Sequence, residues 1–236
     1  MEMFWNEYLF RPLFNLLIFL YQNYTFYSMG LAVVYLTIIL RILLLPLSII
    51  AEKSPSFYHM LAQSMRELQN DYPNDYVQQK EALKAILRKN RVHPWAKVLS
   101  LAIQFLVLIL LYQVFMGGIN AREKYDALYP FITRPDFVYT KFLWFDISER
   151  NFFMSFLVAL ILFVEITIVQ NNKKELLTSR DLVYRIVFPI FSFVALYLLP
   201  SVKSIFILTS ILFSFIIIIV QNVIWRLLKI GTNFNK

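Results

Sequence analysis

The 236 residues are 59% hydrophobic, 17% aromatic and 16% charged, with a mean hydropathy of +0.59 and a formal net charge of +8. A soluble domain of this length carries about a quarter charged residues, so the apolar excess must face lipid rather than water. The basic residues are scattered between apolar runs instead of gathered in one patch, which sets DNA and other nucleic acid aside as partners.

The chain has no cysteine, which excludes disulfides, thiolate nucleophiles, Cys-ligated metals and a lipoprotein anchor. His59 and His93 have no third ligand near them, so no metal site is expected. Only four glycines occur and none builds a Gly-rich phosphate loop, so no nucleotide or other cofactor is expected. The first residues carry Glu2 and Glu7 without a basic run, and no small-residue cleavage motif follows, so no cleavable signal is expected.

In chain order, residues 1–28 read as an external segment holding an interfacial amphipathic helix over 3–22. Phe4, Leu9, Leu13, Leu16, Leu17 and Leu20 keep a helical spacing, while Asn6, Glu7, Arg11 and Asn15 interrupt it. A membrane span needs about 20 mostly apolar residues, and stretches at 31–50, 96–116, 152–170, 183–200 and 205–226 qualify. The resulting organisation is a first span over 29–50, a cytoplasmic helical hairpin over 51–94 and a second span over 95–116. An external loop over 117–151, spans three to five over 152–226 and a short cytoplasmic tail over 227–236 complete it.

In the hairpin, Phe57, Met60, Leu61, Met65 and Leu68 recur at three- and four-residue steps. The turn at Asp71–Asp75 then leads, with Asp75 as candidate cap, into a second helix with Val77, Leu83, Ile86 and Leu87 on one face. Ser201 to Ser204 leave room for only a tight turn, so spans four and five are expected to pair as an antiparallel hairpin. The aromatic run Phe142 to Phe145 suits a membrane interface. Lys and Arg number 15 on one side, in 51–97, 171–185 and the tail, and 7 on the other, which orients the N-terminus outside and the C-terminus in the cytoplasm.

Polar residues within the spans are the candidates for function. Arg41 lies near the middle of the first span, where a central Arg costs roughly 2.5–3.5 kcal/mol on insertion scales. The fourteen Leu, Ile and Val residues around it outweigh that cost. Thr37 and Ser48 extend a polar stripe along its side of the helix. Lys97, Ser100 and Gln104 form a second stripe, Ser210, Ser214 and Gln221 a third, and Glu165 stands in the third span. Two readings stay open on these residues: a structural Arg41–Glu165 ion pair with Ser, Thr and Gln as interhelical glue, or a wet groove. Gln113 and Gln170, near span ends, read as structural.

The segment from Met29-Gly30-Leu31 through Thr37, Arg41 and Pro46-Leu47 resembles the first core span of the YidC and Oxa-type membrane insertases. His93-Pro94, Gln104 and Leu111-Tyr112 resemble the second, Phe142 to Ser148 the external motif before the third, and Phe188-Pro189-Ile190, Leu199-Pro200 and Gln221 the last two. The resemblance covers about residues 8–228. The sequence departs from the family in having His93 for Asn, Ser201-Val202 for Ala-Gly, and no Leu-Pro near Met154-Ser155.

The resemblance implies an all-α polytopic protein of five transmembrane helices, with the interfacial helix and cytoplasmic hairpin above. It further implies a hydrophilic groove, open to cytoplasm and lipid but closed outside; the polar stripes offer Arg41, Thr37, Ser48, Ser100, Gln104, Ser210, Ser214 and Gln221 as its client-contacting residues, with Glu165, which is not a position of the family's pattern, added from its place in the third span. The implied partners are nascent membrane proteins, the ribosome or targeting machinery and a Sec-type translocon, at a bacterial plasma membrane. The competing class is a small-solute or ion transporter, which would want paired broken helices or an inverted repeat. Catalysis is not expected, because no nucleophile–base pair falls within the spans.

Overall fold

Proline and short polar side chains decide where the helices break. The computed structural model describes residues 2–51, 55–73, 75–90, 94–171 and 174–233, with the side chains of 221–233 outside that description. Helix α1 (Arg11–Asn23) is preceded by a π-helical stretch at Trp5–Phe10, in which the Arg11 N–H reaches back to the Asn6 carbonyl. Pro12 cannot donate to the preceding turn, and the wider turn accommodates the lost bond.

The first span is not one helix. It divides into α2 (Met29–Leu43) and α3 (Leu45–Ala51), with the break at Leu44. Pro46 explains it, having no N–H to offer the carbonyl four residues back. The polar segment forms α4 (Pro55–Asp71) and α5 (Tyr76–Lys89). Asp75 caps α5 by accepting from the N–H groups of Val77 at 3.1 Å and Gln78 at 3.0 Å.

Four long helices follow the hairpin: α6 (Pro94–Phe115), α7 (Phe152–Asn171), α8 (Ser179–Tyr197) and α9 (Val202–Asn233). Among the described residues, 98–115 of α6 and the whole of α7 are long and apolar enough to cross a membrane, while 29–43 and 202–217 are shorter apolar helices. The protein is thus mostly helical, with two long apolar helices and several shorter ones, as an all-α membrane protein requires.

The packing order corrects one expectation. Helices α8 and α9 do not form the paired hairpin that their short connection suggested. Among the described residues, α8 packs mainly against α7, and α7 in turn packs on α9. The apolar surface of α7 satisfies both neighbours at once, which a two-helix hairpin could not do. Helix α9 also packs along α2 and touches α6, so it stands at the centre of the bundle. Nor is the chain beyond 226 a loose tail in its backbone, since α9 runs on to Asn233.

The segment over 117–151 is a folded cap rather than an irregular loop. Its residues Ile119, Tyr125, Ile132, Val138, Phe145 and Ile147 join the same buried cluster as Phe14, Leu17, Ile18 and Tyr21 of α1 and Met29, Val33 and Leu36 of α2. Polar side chains of α1 pin it there. Buried Asn15 donates to the Ala127 carbonyl at 2.8 Å and accepts from the Tyr129 N–H at 2.6 Å. Arg11 adds a bond to Ala127 at 3.1 Å and lies over the Tyr129 ring. Two of the four residues that interrupt the helical pattern of 3–22, Arg11 and Asn15, therefore hold the cap. From within the cap, Lys124 donates to the carbonyls of Val114, Met116 and Gly118, closing the C-terminal end of α6. Burial lowers its ammonium below the usual lysine range.

A two-stranded hairpin that the helical reading had missed lies in this cap, β1 (Lys141–Phe142) pairing antiparallel with β2 (Phe145–Asp146). The Asp146 carboxylate accepts from Thr140 Oγ1 at 2.7 Å and the Ser148 N–H at 2.8 Å. The segment after it ties directly to the start of α9: Ser201 N–H donates to the Glu149 carbonyl at 2.8 Å and Val202 N–H to the Ile147 carbonyl at 2.9 Å. The Phe142 ring presses against Gly30 so closely that a side chain there would overlap it.

Gly30→Ala is therefore expected to destabilise the protein by about 1–3 kcal/mol, the usual cost of overpacking a core. Thermal unfolding in detergent should show a lowered midpoint, and an unchanged midpoint would refute the close-approach account.

Candidate functional site

Helix spacing puts Thr37 and Arg41 one turn apart on α2, and Pro46 ends the regular turn soon after. Across from them stand Gln104 of α6 and Ser210 of α9. These four polar residues line one small cleft, whose remaining walls are leucine, isoleucine, valine and phenylalanine side chains. Three separate helices therefore bring together residues more than 170 positions apart in the sequence.

The polar groups differ in how they are satisfied. Thr37, fully buried, donates back to the Val33 carbonyl at 2.6 Å. Gln104 Nε2 donates to Ser100 Oγ at 3.0 Å, so Ser100 supports the glutamine from one turn away. Ser210 is 4% exposed and its hydroxyl has no hydrogen-bond partner among the described residues; the same holds for the hydroxyl of buried Ser204. Half-buried Arg41 keeps its Nε buried against the cleft wall. A guanidinium stays charged at any physiological pH, so its surroundings must supply polarity.

The other predicted residues lie apart from this cleft. Ser48 and Ser214 each donate to the carbonyl four residues back in their own helices, at 3.2 Å to Leu44 and 3.1 Å to Ser210. Glu165, on α7, is not among the cleft-lining residues and lies near enough to Tyr184 of α8 for the two to interact electrostatically. The side chains of Gln221 and Lys97, and all of His93, lie outside the described residues. Gln113 accepts from Trp5 Nε1 at 2.7 Å and Gln170 donates to the Asp181 carbonyl at 2.7 Å, both structural roles.

Sequence reasoning missed one member of the surroundings. Lys203 entered the sequence reading only as one of the seven Lys and Arg on the outer side, yet it belongs to α9 and is only 4% exposed, with its ammonium 3.8 Å from the centroid of the Tyr112 ring. A signal was present in the spacing, because Lys203 precedes Ser210 by seven residues and so shares its helix face.

Residues 19–227, most of the chain, match the family described as 60Kd inner membrane protein. The chain belongs to that family. Among its relatives is the "Membrane protein insertase YidC" of Haemophilus ducreyi, 29% identical over 119 residues, which are 50% of this chain and 22% of that protein. The protein of the same name from Blochmanniella floridana is 26% identical over 125 residues, 53% of this chain and 22% of the relative. That of Clostridium tetani is 29% identical over 89 residues, 38% of this chain and 40% of the relative. The matched stretches thus span well under half the length of these 60Kd-family relatives.

Ser210→Ala is expected to leave the folded protein intact and to stabilise it, by up to about 1–3 kcal/mol, the cost of a buried hydroxyl without a partner. A lower unfolding midpoint for this variant would mean that the hydroxyl is holding water inside the cleft.

Proposed function

We infer that the chain is a membrane protein insertase of the bacterial inner membrane, which carries short polar tails of client proteins across the bilayer and releases client helices into lipid. The reading rests on one observation: an unneutralisable charge, Arg41, shares a cleft with Thr37, Gln104 and Ser210 in an otherwise apolar bundle. The names of the relatives point the same way.

In this reading five helical spans cross the membrane, with the N-terminus outside and the C-terminus in the cytoplasm. The apolar slab is about 30 Å thick, and a cleft wetted from the cytoplasm to the level of Arg41 shortens the dry part of the journey. The guanidinium attracts carboxylates and carbonyl oxygens of the entering tail, more strongly than in bulk water because the surrounding dielectric is low. Burial of the client's own apolar helix in lipid then drives release. Helices α4 and α5, with Lys80, Lys84, Arg88 and Lys89 on the second, present basic surface to the ribosome, targeting machinery or a Sec-type translocon. Ser48, Ser100, Ser214, Gln221 and Glu165 complete the proposed client path.

Reconstituted into vesicles, Arg41→Ala should insert clients with acidic N-terminal tails about tenfold less well, the scale of one hydrogen bond to a charged group. Arg41→Lys should lose less, keeping the charge without the planar fork. Insertion by Arg41→Ala at the wild-type level would sink the groove reading.

A further inference from the structure

Lys203 is buried as a residue, with no counter-charge beside it among the described residues. It is 4% exposed, and its contact among the described residues is the face of the Tyr112 ring, 3.8 Å away. Burying an unpaired ammonium is costly, and a ring face returns only part of the lost hydration. A methionine or leucine would pack there with less expense, so fold stability alone gives no reason for a lysine.

Its position supplies a reason. Seven residues of α9, a rise of roughly 10 Å, separate Lys203 from Ser210 in the Arg41 cleft, on the same helix face. Between the two levels lie buried Val107 and Phe206, both of which also line the cleft. Two turns further along α6 than Gln104, Tyr112 covers the ammonium. At the Lys203 end, the backbone is tied to the external cap through Ser201 and Val202. The molecule therefore carries two cations in line, Arg41 beside the cleft and Lys203 beyond an apolar layer towards the cap.

We propose that Lys203 is a second cationic station, which takes the carboxylate of a client's acidic tail after that carboxylate leaves Arg41. Tyr112 occupies the ammonium while the path is empty and is displaced by the arriving carboxylate, whose attraction for a buried cation exceeds that of a ring quadrupole. This rests on the insertase reading and adds to it a selectivity for acidic over neutral tails that is set at the outer end of the path.

The test compares, in reconstituted vesicles, two clients that differ only by one Asp-to-Asn change in the tail. In K203M the ratio of acidic-tail to neutral-tail insertion should fall by at least about fivefold, the upper end for an exposed ion pair, and K203R should restore most of it. An unchanged ratio in K203M overturns the station, as does an equal loss for both clients, which would make Lys203 a packing residue. A second measurement needs no variant. A water-soluble carbodiimide condenses an amine and a carboxylate in contact to an amide, its own carbon taking up the water as a urea. Applied to the wild-type chain carrying an arrested acidic-tail client, it should join the tail Asp to Lys203, read by peptide mass. Joining only at other lysines, or none, overturns the proposal. A wild-type chain that inserts neither client would instead defeat the insertase reading itself.

Discussion

A charge that cannot be discharged, set in the last turn of an apolar helix, governs the arrangement around it. Burial of a guanidinium without polar company is expensive, so the neighbouring helices must bring oxygen and amide groups to its level. Thr37 comes from the same helix, Gln104 from α6 and Ser210 from α9. The break at Leu44 follows from Pro46 just beyond, and it leaves irregular backbone beside the same cleft. Helix α9 takes the central position because it serves α2, α6 and α7 together.

The opposite end of the bundle is built to stay shut. Asn15, Arg11 and Tyr21 of α1 fix the external cap by bonds to its backbone, and Lys124 closes the last turn of α6 from within it. The cap's apolar residues then merge with those of α1 and α2 in one cluster. The polar cleft and the aromatic-rich cap are thus distinct regions of one bundle. Lys203 stands where these two regions meet, which is why its burial carries functional weight.

The structure also separates two kinds of polar residue that look alike in a sequence. Ser48 and Ser214 bond within their own helices, while Gln113 accepts from Trp5 and Gln170 donates to the Asp181 carbonyl. Ser204 and Ser210 keep hydroxyls without protein partners. Helical period places all of them on stripes, but period is blind to whether a carbonyl, a side chain or nothing faces the hydroxyl. Glu165 shows the same limit: its spacing places it in the third span, and only the structure sets it near Tyr184 of α8.

Hydropathy and spacing alone determined that the chain is a helical membrane protein, that its polar hairpin carries Asp75 as a cap, and that Arg41 is the residue needing explanation. Those are properties of single segments, and local chemistry decides them: apolar length, helical period, a carboxylate placed to accept from two N–H groups. The folding of the external segment into a capped hairpin, the placement of α7 between α8 and α9, the gathering of Thr37, Arg41, Gln104 and Ser210 on one cleft, and the burial of Lys203 under Tyr112 belong to the tertiary structure. Each depends on which helix faces lie opposite one another, and the helices of the bundle, unlike the polar α4 and α5, are apolar around much of their circumference. Lipid and protein neighbours then look the same to hydropathy, so only three-dimensional packing could choose between them.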